Sequence, residues 1–139
     1  MKLTQEDKEL IEKAKGIIPK AKELNLHDTG DVGAALITSK GNLYYGVCTG
    51  FWCGIGSCGE YQAIGNMISN GEKDIKTIVA VYFDEKNNKY EVIPPCGKCR
   101  EMMHQLGKNS EDTEVIISKG EKVKLKELLP YAYKGTIEK

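Results

Sequence analysis

The chain has 139 residues, the length of one domain, and we read residues 1–139 as a single unit. Hydrophobic residues make up 40% and charged residues 29%, which excludes a disordered chain; twenty Lys+Arg balance twenty Asp+Glu, which argues against a nucleic-acid polymer or an anionic membrane as partner. The five cysteines are an odd count, so they cannot be a fully paired disulfide framework, and a domain of this length buries a core without staples.

Leu3, Leu10, Ile11, Ala14, Ile17 and Ile18 recur at helical spacing, and Thr4 stands ahead of Glu6 and Asp7. This predicts a helix from Thr4 to Ile18 that Pro19 ends or kinks toward Leu24. The stretch has no apolar run of a signal-peptide kind, so a reducing, cytoplasmic setting is expected. His27 to Asp31 reads as a turn. Val32–Thr38 and Leu43–Thr49 read as a strand pair joined at Lys40–Gly41–Asn42. A Gly-rich loop, Gly50 to Ser57, leads to a helix over Cys58–Ser69 with Tyr61, Ile64, Met67 and Ile68 on one face. Ile75–Phe83 reads as a buried strand, Tyr90–Ile93 as a short extended piece, and Gly97–Leu106 as a helix with Met102, Met103 and Leu106 inward. Thr113–Ser118 is a strand, and Val123–Leu129 a helix closed by Pro130. The Lys-rich stretch Lys119–Lys126 alternates with acids and reads as a solvated face. The order α, β, β, α, β, α, β, α implies an α/β sandwich on a mixed sheet.

Cys96–Gly97–Lys98–Cys99 is a C-x-x-C pair after Pro94–Pro95, and Cys58–Gly59–Glu60 lies upstream. Both thiol groups open a predicted helix, where free N–H groups and the helix dipole favour thiolates. Two such termini brought face to face give three sulfur ligands, Cys58, Cys96 and Cys99, with a fourth tetrahedral position open, the arrangement of a catalytic zinc. Glu60 lies in the same first turn as Cys58, placed to reach a water rather than the metal. A Cys-x-Glu followed by Pro-Cys-x-x-Cys satisfies the pattern of zinc deaminases. The expected chemistry is zinc-assisted hydrolytic loss of ammonia from a small aminated heterocycle, with Glu60 carrying the protons.

On these motifs, with Val32–Gly33–Ala34–Ala35–Leu36 and Leu128–Leu129–Pro130, the sequence resembles the small cytidine deaminases, the blasticidin-S deaminases in particular. The resemblance runs from about Val32 to Tyr133. It implies an α/β/α sandwich with a five-stranded mixed sheet, a homotetramer, zinc on Cys58, Cys96 and Cys99, and Glu60 as proton shuttle. It also implies that Tyr133 reaches the pocket of a neighbouring subunit. The implied substrate is a small aminated pyrimidine nucleoside, or a nucleoside-like compound of the cytidine or blasticidin-S type. Aligned on Gly41 and Gly46, the Asn and Glu with which cytidine-acting members hold ribose fall at Cys48 and Gly50, and a Phe before the first strand falls at Gly30. The ribose clamp is therefore absent. The Arg often found after the Glu is Tyr61, so Lys98 and the two helix termini are expected to offset the charge of the thiolates.

Phe51 and Trp52 precede the zinc helix, where an aromatic can stack on a flat base or pack at an interface; Trp52 and Tyr133 are the candidate substrate contacts. Cys48 and Cys53 read as small buried hydrophobes or as extra ligands of a closed, four-cysteine structural zinc site. His27 and His104 read as surface or packing residues. The rival functions are that structural zinc module and a catalytically silent deaminase fold that binds a nucleoside-like ligand.

Overall fold

The structure is a computed structural model and describes residues 1–137. Thr4 caps helix α1 (Gln5–Gly16): its hydroxyl accepts the Asp7 N–H at 3.2 Å, while the Asp7 carboxylate accepts the Thr4 N–H at 2.8 Å. The helix stops before the expected Ile18. Pro19 sits in the first turn of a separate short helix, α2 (Ile18–Lys22), where its missing N–H leaves no bond unmade.

Strands β1 (Val32–Thr38) and β2 (Leu43–Val47) form the expected antiparallel pair. The second strand ends two residues earlier than its sequence suggests. Thr49–Gly50 (β3) leaves the main sheet and pairs instead with Gly56–Ser57 (β4), so the Gly-rich loop closes on its own two-stranded ribbon. Helix α3 (Gly59–Ser69) and strand β5 (Ile75–Asp84) follow. The piece read as merely extended is a full strand, β6 (Lys89–Ile93), that turns back on β5. Helix α4 (Gly97–His104) leads into β7 (Glu114–Ser118).

The C-terminal part departs most from expectation. The helix read over Val123–Leu129 is a strand, β8 (Glu121–Lys124), followed by a single helical turn, α5 (Leu125–Leu128). Strand β8 folds back on β7 with Val115 opposite Val123. Nor is Lys119–Lys126 a uniformly solvated face. Lys122 is buried, and its Nζ lies 2.8 Å from Asp7 and 2.6 Å from Glu114. The buried carboxylate of Asp7 and the half-buried one of Glu114 turn a lysine inward that the charge pattern alone assigns to solvent.

The main sheet runs β2-β1-β5-β7-β8, with β6 beside β5 as a sixth strand. Strands β5 and β7 are parallel, and β1 is antiparallel to β2 and β5, so the sheet is mixed. Alternation along the strands gives each face its own core. Ala35, Val79, Val81 and Ile116 pack under α1 with Leu10, Ile11 and Ala14. Ala34, Leu36, Ile78, Ala80 and Val115 pack on the other face with Ala63, Ile64 and Met67 of α3 and Met103 of α4. The result is the expected α/β/α sandwich. No helix among the described residues is long and apolar enough to cross a membrane.

Candidate metal centre and active site

Helices α3 and α4 each begin on a cysteine at the end of an incoming strand or loop, the end of an α/β sheet at which ligands gather. Cys58 is the N-cap of α3 and Cys96 the N-cap of α4, both in extended backbone, and neither side chain makes a capping hydrogen bond. Cys99 lies one turn into α4 and is fully buried. The three Sγ atoms lie within 4.8 Å of one another, and those of Cys58 and Cys96 are 3.5 Å apart. Ligand sulfurs at ~2.3 Å from a tetrahedral zinc stand about 3.8 Å from each other, so this donor set fits the metal.

The close seating of α3 depends on Gly46 of β2. A Cβ there would lie 2.5 Å from the Ala63 nitrogen and from the Gly59 carbonyl oxygen. Only a bare backbone lets the helix approach this strand, and the approach brings Cys58 into reach of α4. The apolar face of α3 is turned one residue from the sequence reading. Ala63, Ile64 and Met67 are buried, whereas Tyr61 and Ile68 are exposed. Glu60 heads the buried stripe at i, i+3, i+4 and i+7 and is only 5% exposed.

The electrostatics follow from that placement. Burial pushes the Glu60 carboxyl up from its ordinary value. Burial also raises the Cys99 thiol, and the nearby Glu60 charge adds to it. Cys58 is raised by burial and by Cys96. Cys96 is pushed up by burial too, but the N–H groups of Cys99 and Lys98, with the neighbouring thiols, outweigh this and hold it below its ordinary value. The free amides of a helix N-terminus therefore act here on the thiol that begins α4. Lys98 lies with its Nζ 5.8 Å from the Tyr61 ring centroid, joining the first turns of the two helices.

The remaining sequence candidates divide clearly. Cys48 accepts the Val32 N–H on its sulfur at 3.3 Å, and Cys53 lies exposed in the ribbon loop. Neither belongs to the thiol cluster, so the described residues do not assemble a four-cysteine site. Trp52 is 74% exposed and stacks on His27 with ring centroids 4.1 Å apart. Tyr133 is 72% exposed, and its carbonyl oxygen lies 2.9 Å from Nε2 of His104, a buried packing residue. Arg100, to which the sequence assigns no role of its own, donates from Nε to the Pro95 carbonyl at 2.8 Å and from Nη1 to the Leu128 carbonyl at 3.1 Å. Its place one residue after the C-x-x-C pair was the available signal.

The family model for the cytidine and deoxycytidylate deaminase zinc-binding region matches residues 4–116. The chain is 38% identical to the blasticidin-S deaminase of Bacillus cereus over 138 residues, covering 94% of each protein. It is 34% identical to the cytidine deaminase of Halalkalibacterium halodurans over 107 residues, 73% of this chain and 76% of that one. Among solved structures, the cytidine deaminase of Burkholderia pseudomallei is 25% identical, with a TM-score of 0.72 over 94% of this chain and 100% of its own. The Bacillus anthracis cytidine deaminase has the same fold, with a TM-score of 0.72 over 91% of this chain and 88% of its own at 23% identity. The matched residues include the three-thiol cluster at two facing helix starts and the buried Glu60 in the first turn of one, and the chain belongs to the cytidine and deoxycytidylate deaminase family.

Proposed function

We propose that the protein is a hydrolytic deaminase that releases ammonia from a small aminated pyrimidine nucleoside or a nucleoside-like compound. The observation that carries this reading is the three-thiol cluster with Glu60 buried in the first turn of α3 beside it. Cys58, Cys96 and Cys99 would hold the zinc, three thiolate donors suited to it. Zinc held there supplies Lewis acidity and makes a coordinated water acidic enough to act as a nucleophile near neutral pH.

Glu60 handles the protons. Its carboxylate takes a proton from the attacking water and hands it to the ring nitrogen next to the carbon that bears the amine, C4 in a cytosine ring. It then assists proton delivery to the departing amine, so that water is consumed and ammonia leaves. The burial of Glu60, only 5% exposed, keeps bulk water from competing for that proton. Lys98, held across the Tyr61 ring, offsets part of the net negative charge of one zinc and three thiolates.

The working assembly is a homotetramer in the cytoplasm in which Tyr133 of one subunit closes the pocket of another. Family membership and the exposure of Ile55, Tyr61, Ile68, Tyr131 and Tyr133 support it. The test is ammonia release by the zinc-loaded protein with cytidine, deoxycytidine, cytosine and blasticidin S. Release from at least one nucleoside-type compound is expected. Silence across the panel at full zinc occupancy would instead favour a ligand-binding deaminase fold.

A further inference from the structure

The turn at residues 27–30 folds over the strand ribbon that delivers Cys58. The Gly50 N–H donates to Thr29 Oγ1 at 3.1 Å, and the Gly30 N–H donates to the Cys48 carbonyl at 3.0 Å. The Thr29 hydroxyl donates to the His27 carbonyl at 2.7 Å, which locks the turn on itself. Strand β3 pairs with β4, Thr49 opposite Ser57, so the turn is tied through one strand pair to the residue that precedes Cys58.

The approach leaves residue 50 no room for a side chain. A Cβ on Gly50 would stand 2.6 Å from the Asp28 carbonyl oxygen and 3.2 Å from the Asp28 carboxylate Oδ2. Asp28 thus fills, with its own carboxylate, the space into which a side chain at position 50 would project. The corner is built on backbone that non-glycine residues seldom adopt: φ is 37° at Asp28 and 64° at Cys53. Such backbone persists where the surroundings hold it in place, and it collects at ligand sites.

Two features of this corner point outward. Asp28 is exposed, and among the described residues its carboxylate has no hydrogen bond or ion pair. Beside it His27 packs against the Trp52 ring at an interplanar angle of 32°, while Trp52 remains 74% exposed. A bare carboxylate next to an open indole is attractive to an organic cation, through charge and through the ring quadrupole.

We propose that Asp28 and Trp52 form a subsite for a cationic substituent of the substrate, an ammonium or guanidinium group carried on the far side of the nucleoside-like body from the ring that is deaminated. The proposal rests on the deaminase reading above, which puts the aminated ring at the thiol cluster; the Thr49–Ser57 pair of the β3–β4 ribbon joins that cluster to this corner. The selectivity would then lie in a turn that precedes β1 rather than in side chains at positions 48 and 50.

The experiment uses zinc-loaded Glu60→Gln protein, with and without Asp28→Asn, and measures binding by calorimetry at low and high salt. The probes are cytidine and blasticidin S, the latter carrying a guanidinium tail. With Asp28 present, blasticidin S binds the more tightly, and its advantage shrinks as salt rises. Asn keeps the shape of the side chain and tolerates left-handed backbone, and it is expected to remove about five- to tenfold of that advantage. Trp52→Leu, a second variant that leaves the turn untouched, is expected to act in the same direction. Equal weakening of both ligands would make Asp28 an acceptor for sugar hydroxyls and overturn the proposal. An unchanged preference, or no binding of either probe, would overturn it as well. Ammonia release is assayed separately in protein retaining Glu60. Silence there with an Asp28-dependent preference would sink the deaminase reading alone, and release without that preference would sink the subsite alone.

Discussion

At the scale of single residues, Glu60 is a carboxylate at a position where α3 otherwise buries Ala63, Ile64 and Met67. Glu60 has no ion pair among the described residues, and a buried acid so placed is costly to keep for packing, which is the physical argument for a chemical role. Lys98 and Tyr61 form the next test. With about 1 kcal/mol of transition-state charge compensation assigned to its ammonium, Lys98→Ala should lower turnover about fivefold while leaving zinc content nearly unchanged. Parallel loss of metal and activity would show that Lys98 merely supports the ligands. Gly46→Ala should be worse than its single methyl suggests. The added carbon would meet the α3 backbone at 2.5 Å, so we expect a stability loss of about 1–3 kcal/mol in urea denaturation, with weaker zinc retention. These residues differ in how readable they are. Cys58–Gly59–Glu60 and Pro95–Cys96–Gly97–Lys98–Cys99 are legible because ligand chemistry demands those types at that spacing. The phase of α3 is not, because Tyr61 and Ile68 are apolar yet exposed, and hydrophobicity alone places them inward.

At the scale of elements, the cluster Asp7–Lys122–Glu114 ties the start of α1 to β7 and β8. Its charge pattern hides it: Lys122 sits among alternating lysines and acids, and its buried partner Asp7 lies at the other end of the chain. Lys122→Met should leave Asp7 buried without its counter-charge and cost about 3–5 kcal/mol, whereas adding Asp7→Leu should recover much of that loss. The pH dependence has a definite sign. Burial pushes the Asp7 carboxyl up, but Lys122 and Thr4 outweigh it and hold it below its ordinary value. Its contribution is therefore complete above about pH 4 and fades as pH falls through the lower folded value. Burial depresses the Lys122 ammonium, but Asp7 and Glu114 outweigh that and raise it, so its share is complete below about pH 10 and fades as pH rises beyond. Unfolding midpoints that stay flat below pH 4 in the wild type would contradict this account. Helix α4 is a second bracket: Arg100 and His104, one turn apart, meet the carbonyls of Leu128 and Tyr133. His104→Ala should loosen the C-terminal segment by about 1–3 kcal/mol, and His104→Gln, which keeps a donor, should lose less.

At the scale of the whole molecule, the α/β/α order was readable because helical and strand periods alternate along the chain, and β1, β5 and β7 carry the apolar runs of buried strands. Strand β8 was not readable, since its stability comes from β7 and from Lys122 rather than from its own apolar content. The balance of twenty basic and twenty acidic residues suits a small substrate rather than a polyanion, and the charge that matters is concentrated at the thiol cluster and at Asp28. The proposed tetramer predicts a light-scattering mass near four chains, and Tyr133→Ala should raise KM more than it lowers kcat; a monomer with full activity would refute that arrangement. The central claim, a zinc held by three thiols with Glu60 moving the protons, is tested most directly by measuring zinc content and ammonia release together in the wild type and in Glu60→Gln. The account predicts about one zinc per chain in both proteins, with ammonia released by the wild type and release reduced at least a hundredfold in the variant. Equal release from both, or no zinc in either, would contradict it.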